Sequence, residues 1–219
     1  MIIGVLALQG DYDAHRKLLE NALNVARVLE VRDEKTLNQC DGLVIPGGES
    51  TTMSRLCDRY ELWQPLQEKL QSGMGALGTC AGLIMLSHRI DGATKNFAQK
   101  TLDVLDVDVA RNAYGAQLDS FECDLELEPD IEYSTPNDKT MRAVFIRAPR
   151  ITRVGENVKV LARHDGEPVA VRCGKIVACA FHPEIAGESA LHELWLRALK
   201  NHDSQNDTSK TLYNGWRVG

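Results

Sequence analysis

A chain of 219 residues, 43% hydrophobic and 26% charged, has the length of one domain with insertions and the composition of an ordinary globular protein. Its net charge of -6, with both signs interspersed, argues against a nucleic-acid partner. No apolar run reaches bilayer length and Met1-Ile2-Ile3-Gly4 has no basic region before it, so neither a membrane span nor a secretory leader is read, and a cytoplasmic location is expected.

Residues 2–8 form a continuous apolar run, which predicts a strand buried on both faces. Asp11 offers a helix N-cap, and Ala14, Leu18, Leu19, Ala22 and Leu23 share one helical stripe. Further strands are predicted over 25–31 and 42–45, the second stopped by Pro46-Gly47-Gly48. Residues 51–72 read as helix, with a break near Pro65. Met74-Gly75-Ala76-Leu77 then reads as a buried strand, and Leu83-Ile84-Met85-Leu86 as the start of a buried helix. Such alternation implies βαβ units and a parallel sheet with right-handed crossovers.

The second half changes character. Residues 102–109 alternate with period two, and short strands are predicted over 118–127, 143–148, 158–162 and 169–171, as antiparallel additions to the core. Residues 128–140, with Pro129 and Pro136, predict a surface loop. An apolar strand over 176–181 runs into His182-Pro183-Glu184, and Leu191, Leu194, Trp195, Ala198 and Leu199 then fall on one helical face. The expected fold is an α/β three-layer sandwich, flavodoxin-like, with a mostly parallel central sheet. It comprises one domain over 1–200 and a loosely attached polar tail over 201–219. Six scattered cysteines, with no C-x-x-C pair and no His/Cys cluster at zinc spacing, predict reduced thiols, no metal and no cofactor.

Gly78-Thr79-Cys80-Ala81-Gly82 has the form of a nucleophile elbow, with sulfur in place of the serine oxygen. A strand that turns sharply into a helix needs small residues two positions either side of the turn, and the helix start favours the thiolate. A buried structural cysteine between packing glycines is the bland alternative. A cysteine nucleophile needs a base, and His182 follows another predicted strand immediately. If the backbone stays extended there, Glu184 leaves the same side and can hold the imidazole. Pro46-Gly47-Gly48-Glu49-Ser50-Thr51-Thr52 offers backbone N–H groups for an oxyanion, with Ser50 or Thr51 as a simple helix cap in the bland reading.

These segments, with Leu6-Ala7-Leu8-Gln9-Gly10, Arg111-Asn112-Ala113-Tyr114-Gly115 and Phe145-Ile146-Arg147-Ala148-Pro149, resemble in order the motifs of the class I (triad) glutamine amidotransferases. The narrower resemblance, from about residue 2 to about residue 200, is to the glutaminase subunits of pyridoxal phosphate synthases. It implies Cys80 as nucleophile, completed by His182 and Glu184, and glutamine contacts from Gly47, Gly48, Glu49, Ser50, Arg111, Ile146 and Arg147. It also implies a barrel-type synthase partner in a hetero-oligomer, which receives the ammonia. A glutaminase serving another pathway and a catalytically silent regulatory subunit are the alternatives. The chain departs from that pattern at Gly115-Ala116-Gln117, where Gly-Arg-Gln is usual, and at Gly73-Met74-Gly75-Ala76, which lacks the usual Lys-Pro. Its 128–140 loop and its tail are longer than is typical.

Overall fold

The computed structural model describes residues 1–22, 25, 27–91, 99–111, 120–128 and 140–211. The predicted stripe residue Leu23, the segment Asn112-Ala113-Tyr114-Gly115, the substitution at Ala116, most of the 128–140 loop and residues 212–219 lie outside the described residues.

Five strands form the parallel core: β1 (Ile2–Leu6), β2 (Arg27–Val31), β3 (Gly42–Ile45), β4 (Gly75–Thr79) and β12 (Ile176–Cys179). Two more, β10 (Lys159–His164) and β11 (Glu167–Cys173), extend the sheet antiparallel, in the order β10-β11-β12-β4-β3-β1-β2. The central strands β3, β4 and β12 are buried at every position, which is why they read as unbroken apolar runs rather than alternating ones. The helices between the parallel strands are α1 (Tyr12–Ala22), the single turn α2 (Glu34–Leu37), α3 (Ser50–Arg59) and α4 (Trp63–Gln71), while α5 (Ala81–Leu86) follows β4. After β12 come α6 (Pro183–Ala186) and α7 (Ala190–Thr211).

The predicted helix over 51–72 is two helices, and the break comes at residues 60–62, ahead of Pro65 rather than at it. Proline is tolerated in a first helical turn, where its missing N–H costs nothing, so Pro65 sits at the third position of α4. Glu61 takes a positive φ of 55° in the connection. The helix α7 packs its predicted apolar face on the sheet. A Cβ at Gly42 would lie 2.9 Å from Trp195 Cζ2, and one at Gly75 2.2 Å from Leu199 Cδ2. The glycine at position 75, in the stretch where the usual Lys-Pro is absent, thus lets the last helix approach β4. α7 continues through Thr211, so helix stands where a loose tail is expected from Asn201.

The remaining strands do not join the central sheet. β5 (Ser87–Asp91), β6 (Leu105–Ala110) and β9 (Arg150–Val154) make a separate three-stranded sheet in which β5 pairs parallel to β6. β7 (Phe121–Glu126) and β8 (Thr140–Phe145) form an antiparallel pair, tied to β10 by a bridge from Leu127 to Ala162. β8 reaches the core through the His182 N–H, which donates to the Val144 carbonyl at 2.8 Å.

Candidate active site

The parallel strands β1, β3, β4 and β12 all end at one edge of the sheet, where open α/β folds place their sites. The residues that follow them, Gln9, Gly47 to Glu49, Cys80 and His182, therefore converge. Cys80 sits between β4 and α5 at φ 48°, ψ -99°, a conformation that costs a non-glycine residue about 1–3 kcal/mol. The flanking glycines permit it. A Cβ at Gly78 would lie 2.7 Å from the Gly82 carbonyl carbon, and one at Gly82 would lie 2.1 Å from the Ile45 oxygen. Cys80 is 6% exposed.

His182 stands three residues past Cys179, whose carbonyl accepts from the Cys80 N–H at 2.9 Å. Its Nδ1 lies 2.8 Å from Glu184 Oε1, which fixes the tautomer with Nε2 free for the sulfur. The extended backbone expected across His182 and Glu184 is not found. His182 is the N-cap of α6, and Pro183 starts a helix, so Glu184 meets the imidazole from the first helical turn. Burial opposes a charge on His182, but the neighbouring Cys80 and the bond to Glu184 outweigh it and raise the imidazole to about 10. Burial likewise opposes ionisation of Glu184. The neighbouring His15 and the bond from His182 overcome it and hold the carboxyl far below its usual range.

The glycine loop closes over this line. A Cβ on Gly47 would lie 2.2 Å from His182 Cε1, so only glycine lets the loop backbone rest on the imidazole. Gly48 has φ 150°, and the Glu49 N–H donates to Gln9 Oε1 at 2.9 Å. The cap of α3 is Glu49, not Ser50 or Thr51: its carboxylate accepts from the Thr52 N–H at 2.7 Å and the Thr51 N–H at 3.3 Å.

Arg111, 27% exposed, reaches the same loop. It donates to Glu49 Oε1 at 3.1 Å and to Thr51 Oγ1 and Gln99 Oε1, each at 3.0 Å. Ser50 Oγ donates to that same Gln99 oxygen at 3.0 Å. Ile146 places its carbonyl 3.9 Å from the Cys80 sulfur, and Arg147 follows, exposed, at φ 46°. The expected site residues thus gather on one edge, with Arg147 turned outward. Sequence reasoning misses Gln99 and Thr51, which join Arg111 to the loop, and His15, Thr79 and His192 behind Glu184. No motif marks His15 or His192; each lies on a helix that reads only as an apolar stripe.

Comparison with known proteins adds independent evidence. Residues 5–201 match the SNO glutamine amidotransferase family. A protein of Mycobacteroides abscessus named pyridoxal 5'-phosphate synthase subunit PdxT is 47% identical over 199 residues, covering 91% of this chain and 97% of its own. A Pyrococcus furiosus protein of the same name is 45% identical over 202 residues, covering 90% and 98%. A crystal structure of a glutamine amidotransferase superposes with a TM-score of 0.79 at 39% identity, covering 91% of this chain and all of its own. A Thermoplasma acidophilum structure described as a GMP synthase subunit shares the fold, with a TM-score of 0.63 at 14% identity over 96% and 98% of the two chains. On the extent of these matches, the chain belongs to the SNO glutamine amidotransferase family.

Proposed function

We propose that this chain is the glutaminase subunit of a pyridoxal 5'-phosphate synthase and hydrolyses glutamine through Cys80, His182 and Glu184. The observation that carries the reading is that Cys80 and His182 follow the paired strands β4 and β12 at one edge, with Glu184 hydrogen-bonded to His182, in a chain of this family. With its value raised to about 10, His182 carries a proton at neutral pH and can give it to a leaving nitrogen. The thiolate attacks the side-chain amide carbon, and backbone N–H groups near Gly47 and Gly48 stabilise the oxyanion, each such donor contributing about 3 kcal/mol. His182 Nε2 protonates the departing nitrogen, which leaves as ammonia. Water, deprotonated by the now neutral His182, then hydrolyses the glutamyl thioester to glutamate and free thiol.

Recognition of the amino-acid end falls to Glu49 and Arg111, with Gly48, Ser50, Ile146 and Arg147 around it. Glu49 is kept anionic: burial opposes this, but donors from Thr51 and Thr52 prevail. That suits the substrate's α-ammonium. The Arg111–Glu49 pair is partly exposed, 27% and 46% by side chain, so it contributes only about 0.2–1 kcal/mol. A charge-assisted hydrogen bond to the α-carboxylate is worth about 1.5–3 kcal/mol. Bound glutamine therefore displaces the pair readily.

The relatives are synthase subunits by name, which supports delivery of the ammonia to a synthase partner, proposed to be a barrel-type subunit in a hetero-oligomer. The six cysteines are free thiols, in keeping with the cytoplasm as the proposed location. The test is glutamine-dependent ammonia release, with and without the synthase, by the unaltered protein and by Cys80→Ala. Turnover that requires the unaltered Cys80 supports the reading; undiminished release from the variant refutes it.

A further inference from the structure

Behind Glu184 the protein buries two more imidazoles that the hydrolysis described above does not use. His15 on α1 and His192 on α7 are each fully buried, and their rings meet with His15 Nδ1 2.9 Å from His192 Nε2. His15 Nε2 lies 3.1 Å from Thr79 Oγ1 and 3.3 Å from Glu184 Oε2. The hydrogen-bond direction favours Thr79, because Oε2, wholly buried, has no hydrogen bond of good geometry. What faces Oε2 at ionic distance is the imidazole of His15. A carboxylate so buried, with one oxygen on His182 and the other unbonded, is costly to keep ionised unless a charge or dipole stands against it.

His192 also carries an unpaired buried Nδ1. Burial, and next the neighbouring His15, press it down to about 3, so it is neutral at pH 7. His192 Nε2 can donate to His15 Nδ1, and in that arrangement His15 Nε2 carries the ring hydrogen toward Thr79 and Glu184. A pair of apolar side chains would fill the same space without stranding a buried nitrogen, so packing alone does not account for the arrangement. Thr79 is the residue before Cys80, so the cluster also ties α1 and α7 to the strand that carries the sulfur.

We propose that His15 is a positioning residue for glutamine hydrolysis: set by His192 on one nitrogen and Thr79 on the other, it holds the Glu184 carboxylate ionised and in place behind His182. This rests on the triad reading above. The titratable groups around Glu184 are His15 on α1, His182 at the start of α6, Cys179 on β12, Cys80 after β4 and His192 on α7. Glu184 has a depressed folded value, so its ionised form is lost as pH falls through that value. Removing His15 moves this loss to higher pH.

The experiment compares the assembled complex carrying His15→Leu, His15→Gln or His192→Leu with the unaltered one and with Cys80→Ala. H15L is expected to lower kcat about 10–100-fold with KM changed less than about threefold, as for a group that acts through another. Its acid limb should move to higher pH, and H15Q, which keeps a donor near the Nε2 position, should recover most of the loss. Should H15L not fold, H192L carries the test, because it removes the partner that sets the His15 tautomer and should shift the limb the same way. A folded H15L, or failing that H192L, with an unmoved acid limb and unchanged kcat overturns the proposal. If Cys80→Ala is inactive in that same series the triad reading stands and only His15's role fails; if Cys80→Ala turns over, the triad reading itself is lost.

Discussion

Gly47→Ala changes one hydrogen to a methyl group at the point where the loop rests on the His182 imidazole. The added carbon would lie 2.2 Å from His182 Cε1 and 2.7 Å from Nδ1. Ordinary contact begins near 3.4 Å, so the ring, the loop or both must retreat by about 1.2 Å in total. The loop has little room to give. The Gly47 carbonyl accepts from the Asp11 N–H, and a Cβ at Gly10 would lie 1.9 Å from the Gly47 oxygen. Most of the shift therefore falls on His182, whose 2.8 Å bond to Glu184 does not survive a movement of that size. Misplacement by about 1 Å costs on the order of 10²-fold, or about 2.7 kcal/mol of barrier. Ammonia release by the assembled complex should fall by that factor, with the melting temperature lowered by only a few degrees. A folded Gly47→Ala protein within threefold of the unaltered kcat would refute the argument that the loop and imidazole are in contact.

Two further outcomes follow from charges at the site. Because the folded value of His182 is raised to about 10, its stabilising contribution is complete below the ordinary imidazole value near 6.5 and is lost as pH rises through about 10. The melting-temperature gap between the unaltered protein and His182→Gln should therefore be widest below about pH 6.5 and close towards pH 10; a gap constant over that range contradicts the raised imidazole. Arg111→Ala removes the donor to Glu49, Thr51 and Gln99 while leaving the triad intact, so KM for glutamine should rise about tenfold or more with kcat changed far less. A loss confined to kcat would show that Arg111 acts on the chemistry instead.

The parallel core was legible because strands buried on both faces leave unbroken apolar runs, as at Leu43-Val44-Ile45 and Ile176-Val177-Ala178. The elbow was legible for a steric reason, the mutual approach of Gly78 and Gly82, which the backbone bears out. What escaped notice carries little pattern. β5, Ser-His-Arg-Ile-Asp, and β9, Arg-Ile-Thr-Arg-Val, each bury little besides one isoleucine, so neither shows a face. Strand pairing set by distant partners is not written locally, so nothing before the fold separates the β5-β6-β9 sheet from the central one. The same holds at the site. Cys80 and His182 each follow a strand end that the sequence marks, whereas His15 reaches Glu184, and His192, 177 residues on, reaches His15, only through the packing of α1 and α7. Arg111 and Glu49, each expected as a contact for glutamine, pair with one another.

The most direct measurement uses isotopically labelled glutamine mixed with the assembled complex, quenched in acid during turnover and digested for mass spectrometry. The account predicts the labelled glutamyl group as a thioester on the peptide that contains Cys80, absent from Cys80→Ala and accumulating when water attack is slowed. Continued ammonia release with no acyl group on that peptide, or with the label on another cysteine, would contradict it.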